Sequence, residues 1–186
     1  MEAKFNSAKI RLIIGLGNPD KEYENTYHNA GFLFADYLKK QKPAMSVSKS
    51  DASMNLSGAF VRKVLQKRGV KPEEFILVHD DSDLALGKYK IGFGRGSAGH
   101  KGVESVIKAL RTKNFWRVRI GIRDAKPREI LRETTRKKAD LPRRPLRPRS
   151  EARVKAGDFV LNKISATNKK TLEAAFEEIS RRLASI

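Results

Sequence analysis

Ile10-Arg-Leu-Ile-Ile-Gly-Leu-Gly-Asn-Pro-Asp-Lys-Glu-Tyr-Glu-Asn-Thr-Tyr-His-Asn-Ala-Gly31 is the stretch from which the fold can be read. Leu12, Ile13 and Ile14 form a short aliphatic run bounded by Gly15, Gly17 and Pro19, the composition of a strand buried on both faces of a sheet. After a sharp turn, Tyr23, Asn25, Tyr27, His28 and Asn29 place polar side chains on a connection. It leads into Ala30, Leu33, Phe34, Tyr37 and Leu38, whose spacing predicts a helix over Asn29–Lys40 with Asn29 as its N-cap. Connections at strand ends are frequent homes for chemistry.

Outward from this core the same alternation continues. Residues 44–53 are polar and irregular and predict a loop, with at most a short edge strand around Met45–Ser48. Asn55 can cap a second helix in which Leu56, Val61, Val64 and Leu65 share a face and Gly69 supplies the stop. Phe75-Ile-Leu-Val is a strand by composition and runs into His79-Asp-Asp-Ser-Asp, a charged strand end. Lys88–Phe93 predicts another strand, and Gly94-Arg-Gly-Ser-Ala-Gly leads to a helix over Lys101–Arg111 with Val103, Val106, Ile107 and Leu110 as its buried stripe. Trp116, Val118, Ile120 and Ile122 alternate with Arg117 and Arg119, which predicts a strand with one wet or RNA-facing side. Leu172, Ala175, Phe176, Ile179 and Leu183 describe a final amphipathic helix. Strands alternating with helices give an α/β fold: one domain over residues 1–186, with a mixed, mostly parallel sheet flanked by helices. Ligand sites in such sheets gather beyond the carboxyl ends of the strands.

Composition narrows the function. The 186 residues hold 40 Lys+Arg against 21 Asp+Glu, a net charge of +19, which points to a polyanionic partner and favours nucleic acid. Part of the excess lies in Arg123–Lys155, which carries four of the seven prolines and reads as a basic insertion at about 123–155, with a helix possible over Arg128–Lys138 and compact structure resuming at Gly157. There is no cysteine, so a disulfide framework, a zinc-thiolate site and a cysteine nucleophile are excluded. No apolar run approaches the ~20 residues of a membrane span, and the N-terminus lacks the apolar stretch of a signal peptide, so a soluble cytoplasmic protein is expected.

The groups available for chemistry are few. His28 is one of three histidines and the one flanked by hydrogen-bonding residues after a glycine turn. Imidazole titrates near neutrality and can take a proton from water, and Asp80 could hold its ring in one tautomer. Asn18 and Asn55 offer neutral amides. Together they suit hydrolysis of an acyl bond by activated water. Alternatives stand beside this reading. Asp80, Asp81 and Asp83 could bind a hard cation or form a solvated strand end, His79 reads as packing, and His100 reads either way. Gly94, Gly96 and Gly99 satisfy G-x-G-x-x-G, but no acidic residue stands about 20 positions on to hold a ribose. Ser97 lacks the preceding glycine of a nucleophile elbow, since Arg95 occupies it.

Gly15-Leu-Gly-Asn-Pro with Glu22-Tyr23, His28-Asn-Ala-Gly, Met54-Asn-Leu-Ser-Gly, His79-Asp-Asp-Ser-Asp-Leu, Gly96-Ser-Ala-Gly-His and Arg119-Ile-Gly-Ile, in this order, resemble the bacterial-type peptidyl-tRNA hydrolase family. The resemblance implies a monomer that cleaves the ester between a peptide and the terminal ribose of tRNA without a metal or cofactor. It assigns His28 as general base, Asp80 as its supporting carboxylate, Asn18 as the residue separating blocked from free aminoacyl-tRNA, and Tyr23 and Asn55 as substrate contacts. The chain departs from the family's pattern in three places. Lys101 stands where asparagine commonly follows the loop histidine, Ser53 stands where an aromatic residue commonly precedes Met-Asn, and the stretch from Asp36 to Met54 is short by about one edge hairpin. Lys101 could contact phosphate, and Ser53 alters a peptide or ribose contact. A non-catalytic RNA-binding relative, resembling the group II intron splicing factors built on this fold, is the alternative these departures suggest.

Overall fold

A computed structural model describes residues 5–123 and 160–184. Among them the order is β1 (Leu12–Gly15), α1 (Ala30–Gln41), β2 (Val47–Lys49), α2 (Ser57–Arg68), β3 (Phe75–Ala85), β4 (Tyr89–Phe93), α3 (Lys101–Leu110), β5 (Trp116–Arg123) and α4 (Ala166–Ala184). The five strands form one sheet ordered β2-β1-β3-β5-β4. The pairs β1–β2, β1–β3 and β3–β5 are parallel, and β4 returns antiparallel on β5. The mixed, mostly parallel sheet expected from the strand–helix alternation is therefore present. Residues 124–159, which hold nearly all of the stretch expected as an insertion and the helix considered over 128–138, lie outside the described residues.

Period-2 alternation divides the core into two layers. Leu12, Ile14, Phe75 and Leu77 point toward Val61 and Leu65 of α2 and Val103 and Val106 of α3. Ile13, Ile76, Val78, Val118 and Ile120 point the other way, onto Phe34 and Leu38 of α1 and Leu172, Phe176 and Ile179 of α4. Each fully buried side chain of this size contributes roughly 1.5–3 kcal/mol relative to exposure, so the two layers fix the sheet between its helices.

Four local expectations are corrected. Asn29 does precede α1 but makes no cap bond; its amide is engaged elsewhere. Asn55 is exposed inside a 3-10 turn, Met54–Leu56, and α2 begins at Ser57, whose hydroxyl bonds back to the Met54 carbonyl. The charged end of the third strand is solvated only at Asp83: β3 runs on to Ala85, and Asp80 and Asp81 are buried. On β5 the Arg117 side chain is not wet either. Arg117 is buried and donates to the Gly96 carbonyl at 2.8 Å, while Arg119 pairs with Asp81. Burial, then the charge of Arg119, pushes the Arg117 guanidinium down to about 10. Gly69 does end α2, at φ +57°, and the short edge strand falls at Val47–Lys49.

One close approach positions everything that follows. A Cβ on Gly31, in the first turn of α1, would lie 2.5 Å from the carbonyl oxygens of Leu16 and Val78, and one on Gly15 would collide with the Gly31 carbonyl. Only hydrogen atoms at both positions let α1 sit directly on the carboxyl ends of β1 and β3.

Candidate active site

With α1 seated there, the 3-10 turn Tyr27–Asn29 leads His28 onto the end of β3. His28 Nδ1 lies 2.9 Å from Asp80 Oδ1. The backbone N–H of His28 is held by the Val160 carbonyl at 2.8 Å, and that of Tyr27 by the Asn162 carbonyl, so the chain leading into α4 straps the turn from outside. Lys163 reinforces the strap, donating to the carbonyls of Glu22 and Glu24.

A second imidazole meets the same carboxylate. His100 Nε2 is 2.9 Å from Asp80 Oδ1, and the side chains of His28, His100 and Asp80 are 15%, 9% and 4% exposed. Burial disfavours the charged form of Asp80, but His100, by charge and hydrogen bond, and then His28 outweigh it and hold the carboxyl below its usual range. Asp80 is thus an acceptor only, and both imidazoles must donate to it.

The protons follow from these contacts. His100 is the N-cap of α3, and its Nδ1 accepts the Val103 N–H at 3.3 Å. Its one proton as a neutral ring therefore sits on Nε2, and a second would break the cap. His28, donating from Nδ1, keeps a lone pair on Nε2. The contacts thus leave the Nε2 lone pair of His28 free to face the cavity side, and hold His100 as a second donor to the same carboxylate oxygen. The same proton placement argues against a metal. The ligand atoms of His28, Asp80 and His100 lie within 4.8 Å of one another. An ion on Nε2 of His100 would drive its proton to Nδ1, against the Val103 N–H.

His28, Asp80, His100 and Lys101 line a cavity of about 320 Å³, together with His79, Ala98, Arg119 and Val160 among others. Lys101 is exposed and pairs with Glu104 at 3.3 Å. Asn18 is fixed beside this cavity rather than in its wall. Its backbone N–H donates to Asn29 Oδ1, Asn29 Nδ2 donates to its carbonyl, and its own Oδ1 accepts the Met54 N–H at 2.8 Å. This is why Asn29 does not cap α1. With Oδ1 occupied, the Asn18 Nδ2 donors have no partner among the described residues. Asn18 also carries the Met54–Leu56 turn, with Ser53 and Asn55 exposed on either side of Met54. Tyr23, Ser53 and Asn55 do not line the cavity; Tyr23 is half-buried in a 3-10 turn, Lys21–Tyr23.

Residue type and position leave His100 ambiguous. The signal that could have found it is a histidine immediately before the α3 pattern, a position from which one ring nitrogen can cap the helix and the other reach the strand end. Asp81, expected as a cation ligand or solvated group, instead neutralises Arg119 and holds the Asp83 N–H at 2.8 Å.

The family profile described as peptidyl-tRNA hydrolase matches residues 12–53 and 41–137. The chain belongs to the peptidyl-tRNA hydrolase family. The two matched pieces overlap at 41–53, where the stretch from Asp36 to Met54 is short. A peptidyl-tRNA hydrolase of Aquifex aeolicus is 41% identical over 140 residues, 64% of this chain and 73% of that protein. One from Bordetella avium is 33% identical over 198 aligned positions, covering 95% and 92% of the two chains. The fold is shared with the crystal structure of the Acinetobacter baumannii peptidyl-tRNA hydrolase, at a TM-score of 0.73 and 23% identity over 97% of this chain and 89% of that one. These relatives are hydrolases, and nothing among them supports a non-catalytic RNA-binding role.

Proposed function

We propose that this chain hydrolyses the ester joining a peptide to the 3′ ribose of tRNA, with His28 as general base. Nε2 of His28 removes a proton from water as the oxygen attacks the ester carbonyl; Asp80 stabilises the imidazolium, which returns the proton to the departing ribose oxygen. Asn18 Nδ2 donates to the blocked amino end of the substrate, and Tyr23, Ser53, Asn55 and Lys101 contact peptide, ribose or phosphate around it. The observation that carries this reading is the pair of imidazole donors converging on one ionised oxygen of Asp80, which leaves His28 Nε2 as an oriented base. The net charge of +19 supports a tRNA substrate. In the described residues no helix is long and apolar enough to cross a membrane. We place the protein in the cytoplasm and read it as a single-domain monomer, which sedimentation would check.

The test is single-turnover hydrolysis of an N-acetyl-aminoacyl-tRNA at matched tRNA occupancy. His28→Ala is expected to slow the native rate by roughly 10²–10⁴-fold. Equal rates would remove His28 from the chemistry, and binding without cleavage by the native protein would return the RNA-binding alternative.

A further inference from the structure

His79 lies directly behind this arrangement and takes no part in the mechanism above. It is 3% exposed. Its Nδ1 donates to the backbone carbonyl of Asp80 at 2.7 Å, and its ring stands edge-on to that of His100, with centroids 4.6 Å apart at 72°. Nε2, which must then carry the lone pair, is buried and has no hydrogen-bond partner among the described residues. Burial first, and then the proximity of His100, drive this imidazole far toward its neutral form. The charged or titratable groups that face it are His100 at the N-cap of α3, Asp80 on its own strand and Arg117 on β5.

An apolar side chain would fill this site without the stranded ring nitrogen that Nε2 represents, so packing alone does not account for a histidine. What the imidazole does supply is a donor where the sheet runs out of one. The ladder between β1 and β3 ends at Gly15 and Val78, so Asp80 sits two residues beyond β1's last hold on β3. Its carboxylate must still meet two imidazoles at 2.9 Å from one oxygen. We propose that His79 is a positioning residue for ester hydrolysis. Its Nδ1–H pins the Asp80 backbone and its ring backs His100, so that both donors reach the same carboxylate oxygen. This rests on the assignment of His28 as base.

The same single-turnover assay separates this role from a packing role. His79→Leu fills the space and removes the donor, His79→Asn keeps a donor at the Nδ1 position but leaves a void, and His79→Gln moves the donor away. The Leu and Gln variants are expected to lose about 10-fold or more in rate at saturating protein, with tRNA affinity unchanged. The Asn variant should stay within about threefold of native although it melts lower than Leu. Activity and stability then rank in opposite orders, which packing cannot produce. If Leu cleaves at the native rate, or if Asn is no faster than Gln, the assignment is overturned; the Asn–Gln pair decides the matter should Leu fail to fold. His28→Ala, run alongside, tests the underlying reading. A surviving rate there overturns both assignments, whereas a reduced rate there with an unchanged His79→Leu rate overturns that of His79 alone.

Discussion

Two regions meet at the end of β1 and are built on opposite plans. On one side, His28, Asp80 and His100 are nearly buried, and each hydrogen bond fixes where a proton must be. On the other, Ser53, Asn55 and Leu56 stand exposed on a short 3-10 turn, Leu56 to 62%, and the turn is tied to the site by one bond, from the Met54 N–H to Asn18. The departures from the family's pattern fall on the open side or its rim, at Ser53, at Lys101 and in the short stretch before Met54. The closed side is intact. Chemistry that depends on proton placement tolerates little change in geometry, whereas contacts to a long, flexible substrate can be redistributed over many groups.

If that contrast is right, the largest effect comes from breaking the closed side. Asp80→Asn leaves an oxygen that both imidazoles can still donate to, but removes the negative charge that stabilises an imidazolium on His28. We expect a fall of roughly 10²–10⁴-fold in single-turnover rate with tRNA binding retained. A fall of less than about tenfold would show that the carboxylate does not orient the base.

Acid should also act on the closed side. His79 is held neutral by burial, so its folded form binds a proton less readily than the unfolded chain does. Its contribution to stability is complete above about pH 6.5 and declines as the pH falls through and below that value. Asp80, lowered in the fold, adds a second decline below about pH 4. Thermal melts between pH 8 and 4 should show the upper decline setting in below about pH 6.5 and the onset of the lower one at the acid end. His79→Leu should remove the upper one, while Asn55→Ala should leave the profile unchanged; an unaltered profile in His79→Leu would locate the upper decline elsewhere.

Deleting residues 126–155 probes charge beyond both regions. If the basic stretch touches tRNA, the log–log salt dependence of binding should flatten by roughly 0.7–0.9 for each phosphate that the shortened chain no longer neutralises. The cleavage rate at saturation should hold, and an unchanged slope would separate this stretch from the substrate. The smallest effect is expected from Lys101→Asn, whose side chain reaches only Glu104 and the cavity rim. Its kcat/KM should change less than about tenfold, in KM rather than kcat. A larger drop in kcat would move Lys101 to the closed side.

The sheet and its helices are legible in the sequence because period and composition agree. Leu12 to Ile14 and Phe75 to Val78 alternate between two layers, and both read as strands buried on both faces. What the pattern does not specify is the partner of a polar side chain. Asn29 and Asn55 look like caps by position, yet one bridges to Asn18 across the turn and the other faces solvent. Arg117 does lie opposite in phase to Trp116 and Val118, but facing away from one apolar layer does not mean facing water; a carbonyl from the glycine loop accepts from its Nη1. At the site, His28 and Asp80 are readable from residue type. His100 is not, since its role depends on a helix start arriving beside a strand end.

The approach of Gly15 to Gly31 reaches further than packing. An alanine at either position adds a single methyl group and no charge, yet it must push α1 away from the sheet, and His28 travels with α1. A loss-of-function allele of this protein need not touch any polar residue: the two hydrogens at these glycines are as much a target for inactivating mutation as the imidazole they bring into place.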